Sequence, residues 1–129
     1  MRKPRALAGP TQTPVAIAYF YKVKWGFQDE FIELFKRNHY PILEAQLKSG
    51  RLLSIEMYTP RFHGDGRGDW TFLTVLTYKN WQVVSDNRES TRLVKQLYPD
   101  QRLFKREEQR RFELLEAHWD TPLRPVEVK

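Results

Sequence analysis

The 129-residue sequence predicts an α+β fold, a single four-stranded antiparallel sheet with helices on one face. Three observations carry that expectation. Residues 19–58 read strand, glycine turn, long amphipathic helix, glycine turn, strand. A stretch with three glycines in seven residues, HGDGRGD at 63–69, separates that second strand from a third. Further helical patterns and a last extended segment follow, so a strand–helix–strand order occurs twice around a hairpin.

Residues 15–24 (VAIAYFYKVK) are rich in β-branched and aromatic side chains, which suit a strand. Val15, Ile17, Tyr19, Tyr21 and Val23 share one face, and Ala16, Ala18 and Phe20 share the other. Both faces are apolar at the start, so both are expected to be covered. Trp25-Gly26-Phe27 makes the turn, and Asp29 and Glu30 fall where a helix N-terminus favours acids. Phe31, Leu34, Phe35, Asn38, Ile42 and Ala45 then recur at helical spacing. Pro41 interrupts this run and removes a backbone donor, which predicts a kink or restart at residues 38–40. Gly50 ends the helix.

The second strand is expected over 51–62, with Leu53, Ile55 and Met57 on one face and Leu52, Ser54, Glu56 and Tyr58 on the other. The third, WTFLTVLTY, occupies 70–78. Asn80 is placed to cap a helix over 81–97, and Pro99-Asp100 breaks it. Another helix is expected over 101–118. The remainder, WDTPLRPVEVK, is too proline-rich for a central strand and leaves 126–128 as an edge strand.

Hydrophobic residues at 40% and charged residues at 29% fit a globular, soluble chain, organised as a basic N-terminal arm (1–13) and one domain (14–129). The arm resembles a signal-peptide remnant in its charges and small residues but lacks an apolar centre, so a flexible arm and a cytoplasmic protein are the expectation, with a trimmed secretory protein as the alternative. The net charge of +6 is spread among interleaved acids, as in KREEQRR at 105–111. A nucleic-acid partner is not expected from such a mixed surface. No apolar run is long enough to span a membrane. With no cysteine, disulfides, thiol nucleophiles and cysteine-based zinc sites are excluded. His39, His63 and His118 show no metal-ligand spacing, so no metal is expected.

These elements assemble into a ferredoxin-like βαββαβ chain with an extra C-terminal helix. Helices cover one face of such a sheet, and the second apolar face then needs a partner. A second copy of the sheet is the economical one, which predicts a homodimeric barrel.

The pattern Tyr21-Lys22-Val23-Lys24-Trp25-Gly26 with Phe31, Pro41, Gly50-Arg51-Leu52-Leu53, Asp69-Trp70 and Tyr78 resembles the dimeric α+β-barrel superfamily, and within it NIPSNAP-like and antibiotic-biosynthesis-monooxygenase-like small proteins. The resemblance implies a homodimer that binds a small hydrophobic or aromatic ligand. It also implies a cofactor-independent oxygenase, isomerase or cyclase acting on an aromatic or polyketide-like compound. A non-catalytic structural or stress-related dimer, and a haem-binding or haem-degrading protein, are the alternatives. No cofactor is predicted outright; haem is the one the resemblance admits.

Several residues could carry chemistry. His63 opens the glycine loop beside Arg61 and is a candidate general base or donor at a pocket mouth, or a plain surface histidine. Glu56 interrupts an apolar strand, as a general base or as an ion pair with Lys22 or Arg61, and Tyr58 lies beside it. Asn38 and His39 sit at the expected kink, where they could face a cavity. Tyr19, Tyr21, Tyr58, Trp70, Phe72 and Tyr78 alternate along the strands and are candidates for lining it. GDGRG lacks the lysine and serine of a phosphate-binding loop and is read as a hairpin connection.

Overall fold

The structure, a computed structural model, describes residues 13–62, 64–65 and 69–128. The elements run β1 (Val15–Val23), α1 (Gln28–Asn38), α2 (Tyr40–Lys48), β2 (Leu52–Tyr58), β3 (Phe72–Tyr78), α3 (Trp81–Ser85), α4 (Arg88–Leu97), α5 (Gln101–Glu113) and β4 (Leu115–Leu123). The four strands form one sheet in the order β2-β3-β1-β4, with every neighbour antiparallel. This is the ferredoxin-like α+β fold. The expected basic arm and His63 lie outside the described residues, apart from the arm's last residue, Thr13.

The two glycine turns are where the chain requires them. Gly26 and Gly50 both take positive φ, at 89° and 85°, a region costly for a residue with a Cβ. The expected interruption of the first helix is a full break at His39. Its backbone, at φ −124° and ψ −45°, ends α1 and starts α2, and Pro41 falls in the first turn of α2, where a missing N–H costs little.

The core lies between the helices and one face of the sheet. Phe31 and Phe35 of α1 are fully buried against Tyr21, Phe72 and Leu76. Burying a ring of that size stabilises the fold by about 1.5–3 kcal/mol. The rings meet at tilted or edge-on angles, with centroids 4.9 Å apart for Phe35 and Phe72 and 5.2 Å for Tyr21 and Phe31.

Three expectations need correction. The last strand is not 126–128 but 115–123, and α5 stops at Glu113, five residues before its expected end at His118. Residues 115–118 suit a helix locally, but the free edge of β1 offers a ladder that a surface helix cannot match. Pro122 is accommodated because β4 is an edge strand. In β2 the alternation breaks at Leu53, where the register shifts between Leu52 and Ser54. Leu52 therefore joins the helix side of the sheet and is 1% exposed, while Leu53 is half in solvent. Finally, the helix expected over 81–97 is two, α3 and α4, joined through Asp86 and Asn87. Asn80 caps α3 as expected, its Oδ1 accepting from Val83 N–H at 2.9 Å.

Candidate functional site

The break at His39 and the turn between α3 and α4 hold the helix layer off the sheet at one end. A cavity of about 290 Å³ lies between them. Its floor is the helix side of the sheet, with Tyr19 and Tyr21 from β1, Thr74, Leu76 and Tyr78 from β3, and His118 from β4. His39, Ile42 and Gln46 form one wall, Val84, Asn87 and Ser90 another. Arg51 lines it from the start of β2, and Arg111 and Phe112 from the end of α5. A larger groove between α1 and α5, about 530 Å³, is lined by charges that already satisfy one another, among them Arg37 with Glu107 and Arg110 with Glu30. It is a solvated ion-pair face, not a site.

Inside the cavity the titratable groups are perturbed in consistent directions. Tyr19 and Tyr78 share a hydrogen bond of 2.6 Å between their hydroxyls. Burial raises both above the ordinary tyrosine range, and the shared bond adds to the rise for Tyr19. Burial raises Tyr21 to about 12 against the opposing pull of the Arg111 charge. His39 is held down to about 3, first by enclosure of its ring and then by the charges of Arg111 and His118. It is therefore a neutral imidazole at physiological pH. His118 donates from Nδ1 to the carbonyl of Phe20 at 2.8 Å and turns Nε2 towards Asp120 Oδ1 at 3.3 Å. Its ring stacks on Tyr21 with centroids 4.3 Å apart.

Arg111 is the least expected member. It is 3% exposed, its Nε and Nη2 donate to the two carboxylate oxygens of Glu108 at 2.9 Å, and its guanidinium lies over the ring of Phe112 at 4.8 Å. Three buried polar atoms on residues of the lining, Arg111 Nη1, Arg51 Nε and Thr74 Oγ1, have no hydrogen-bond partner among the described residues.

The sequence-selected candidates divide. Tyr19, Tyr21 and His39 line the cavity. Phe72 lies in the aromatic core. Asn38 is buried but faces α5, donating to Glu107 Oε1 at 2.9 Å. Trp70 packs edge-on against Phe20 and lines a separate groove with Lys22, Trp25 and Ile32. Glu56 and Tyr58 pair on the sheet face away from the helices. Glu56 aligns with Val75 and Tyr58 with Leu73, and the Tyr58 hydroxyl donates to Glu56 Oε2 at 2.8 Å. These two do not reach the cavity. An ion pair from Glu56 to Lys22 across strands one and two is also ruled out, since β3 runs between β2 and β1.

Sequence reasoning missed Arg111, Thr74, Arg51 and His118 as cavity residues. Arg111 stands in a mixed run of charges, and nothing in that run distinguishes the one arginine that turns inward. The helical pattern over 101–118 puts His118 at a helix end, and its place in a strand beside Tyr21 follows only from β4.

No protein-family model and no curated protein sequence matches the chain. Solved structures do. A NIPSNAP family protein from Agrobacterium tumefaciens superposes with a TM-score of 0.57 at 18% identity, over 92% of this chain and 90% of that one. A Pseudomonas aeruginosa protein gives 0.58 at 13% identity, over 92% and 100%. A protein of Bacteroides thetaiotaomicron provisionally named an antibiotic biosynthesis monooxygenase gives 0.53 at 8% identity, over 92% and 99%. Likeness at these identities concerns the fold alone: the chain shares the ferredoxin-like α+β architecture of NIPSNAP-family and antibiotic-biosynthesis-monooxygenase-like structures.

Proposed function

We propose that the chain is a homodimeric small-molecule-binding protein whose ligand occupies the cavity between the sheet and α2, and that the cavity supports proton-transfer chemistry without a bound cofactor, as in an oxygenase, isomerase or cyclase. One observation carries the reading. One cavity gathers a neutral imidazole, a bonded pair of tyrosine hydroxyls and two arginines, Arg51 and Arg111. A space filled for packing alone would be lined by apolar groups or by polar groups paired with each other.

The three reaction classes share a first step. A proton leaves an activated carbon or a phenol, and its electron pair moves onto an oxygen. Neutral His39 is the acceptor of that proton. Enclosure of the ring, and after it the charges of Arg111 and His118, disfavour imidazolium, and the negative charge left on the ligand offsets them. The Tyr19–Tyr78 pair supplies hydroxyl donors for the oxygen. At about 290 Å³ the cavity lies at the small end of the ~300–1,000 Å³ usual for ligand sites, which suits a compound of one or two rings rather than haem.

The test is a screen of phenols, aryl ketones and small cyclic diketones by two-dimensional NMR, followed by turnover assays in air. Binding should perturb signals of His39, Tyr19 and Thr74, and His39→Gln should abolish turnover while sparing binding. Perturbations confined to other surfaces would overturn the reading. Haemin added to the protein should produce no Soret shift.

A further inference from the structure

Resting on the reading of His39 as the base of this cavity, we infer that Arg111 is a positioning residue for the proton transfer, holding His39 and His118 in place through the rings of Phe35 and Tyr21. The inference begins from a buried charge that packing does not require. Arg111 is 3% exposed on α5, and Glu108, one turn earlier on the same helix, accepts from its Nε and Nη2 at 2.9 Å each. A buried ion pair contributes little net stability, because drawing both charges out of water costs about as much as their attraction returns. An apolar side chain of similar length would fill the same space without that cost. The neighbouring Arg110 has the ordinary arrangement, an ion pair with Glu30 at the surface.

What the guanidinium touches is specific. Its Cζ lies 5.7 Å from the ring centroids of Phe31 and Phe35 and 4.8 Å from that of Phe112, within the ~6 Å over which an aromatic face attracts a cation. It also acts on the Tyr21 hydroxyl, by charge and by side-chain hydrogen bonding. Two of these rings are the ones on which the cavity histidines rest. His39 packs on Phe35 with centroids 4.9 Å apart, and His118 stacks on Tyr21 at 4.3 Å and 10°. Phe35 and Tyr21 in turn meet edge-on at 5.9 Å. The carboxylate fork of Glu108 fixes the guanidinium, the guanidinium fixes the two rings, and the rings fix two imidazoles from different elements, the break between α1 and α2 and the strand β4. The charge also bears on the base directly. Arg111 from α5 and His118 from β4 are the charges that disfavour protonation of His39, after enclosure of its ring. The other charges of the lining, Arg51 and Asp86, lie 3.9 Å apart and offset each other. A fixed buried cation thus keeps the imidazole in its accepting form.

The experiment is a pH titration of the full chain without ligand, followed by the ring carbon–proton signals of His39 and His118 in NMR. Arg111→Met combined with Glu108→Gln removes the guanidinium without stranding its partner acid. In that variant the His39 midpoint should rise from about 3 by roughly one pH unit or more, and the His118 ring signals should shift as the face of Tyr21 moves. Arg111→Lys keeps the charge and loses the fork, so it should leave the His39 midpoint low and still move the His118 signals. Leu93→Ala removes a buried aliphatic side chain of α4 with no change of charge, and should cost stability while moving neither histidine. A double variant in which both histidines match the wild type would overturn the positioning role. So would a Leu93→Ala chain that moves them as far, since any loss of packing would then have the same effect. Should the double variant not fold, Arg111→Lys decides by itself, and unchanged His118 signals there would overturn the role. These outcomes need no ligand and leave the cavity reading standing. That reading fails separately, if no compound of the screen above shifts His39 or Thr74.

Discussion

The phenol oxygens of Tyr19 and Tyr78 meet at 2.6 Å although the two residues are not paired across the sheet. Tyr19 is aligned with Thr74, and Tyr78 with Val15, so the two side chains lean towards each other along the strands and close over the floor of the cavity. A single phenylalanine at either position leaves the other hydroxyl buried without its partner. Tyr19→Phe and Tyr78→Phe should each cost about 1 kcal/mol, and the double variant clearly less than their sum, because the second loss has no bond left to break. Urea denaturation of the four proteins measures this, and strict additivity would show that the bond contributes nothing. The same pair sets an alkaline limit. Both folded-state values lie above the unfolded tyrosine value near 10, so the stabilising contribution is complete below that pH and is lost as pH rises beyond it. The tyrosinate absorbance of this pair, read as the difference between wild type and the double phenylalanine variant, should therefore appear together with unfolding rather than before it.

His39 gives the acid side. Its folded-state value is held to about 3, below the ordinary 6.5 of an unfolded chain. The unfolded state thus binds a proton that the folded state refuses. Stability is fully present above pH 6.5 and declines as pH falls from there towards 3. The carboxylates Asp86, Glu30 and Glu89 are lowered by their arginine partners and also lose stability in acid, but below the range of an unfolded carboxylate near 4. The window between pH 6.5 and 4.5 therefore belongs to the histidine. His39→Gln should flatten the stability profile there, as read from thermal midpoints at half-unit pH steps. An unchanged slope in the variant would place the effect elsewhere.

Asn38 was legible in the sequence as a polar residue in an apolar helical register, but its destination was not. Its amide donates to Glu107, which also accepts from Nε and Nη2 of Arg37, so the residue ties α1 to α5. Asn38→Ala should cost about 1–2 kcal/mol through the lost bond and the residual void. Asn38→Asp should cost more at neutral pH, where two carboxylates face each other, and should recover towards the alanine level in acid. Chemical denaturation at pH 7 and pH 4.5 distinguishes the two. With wild type as the reference at each pH, an equal cost for the aspartate variant at both values would mean that Glu107 is not the partner.

What could be read beforehand follows the range of the interactions. Gly26, Gly50, Pro41 and Asn80 act within a few residues of themselves, and the turns, the helix break and the cap came out where these residues require them. The strand β4 did not, because Leu115 to His118 suit a helix until the edge of β1 is present to pair with them. The cavity inherits that gap. Tyr19, Tyr21 and His39 stand on elements whose faces were readable. Arg111 and His118 join them through the packing of α5 and β4, and a buried arginine in a run of surface charges has no local mark. Glu56 misled for the opposite reason. Its singularity was real, but the bulge at Leu53 and the interposed β3 place it with Tyr58 on the far face.

That far face carries the last prediction. Ala16, Ala18 and Phe20 of β1 align with Leu73, Val75 and Thr77 of β3, and Phe20 stacks on Trp119 of β4 at 5.3 Å between centroids. None of these residues belongs to the core cluster that the helices build among the described residues, and Trp119, Leu123 and Tyr58 are each more than a third exposed in the single chain. An apolar sheet face of this kind is suited to a self-complementary contact, in which each row of one copy meets a row of the other about a two-fold axis. The wild-type chain should therefore run in light scattering at twice its 15.5 kDa. Leu73→Asp puts a charge beside Phe20 and Tyr58 at the middle of that face, without touching the helix-side core. Burying it in the interface would be prohibitive, whereas on a monomer it stays in water. The variant should be a folded monomer with an unchanged circular dichroism spectrum. A wild-type chain that stays monomeric at tens of micromolar, or a variant that remains dimeric, would place the contact on another surface.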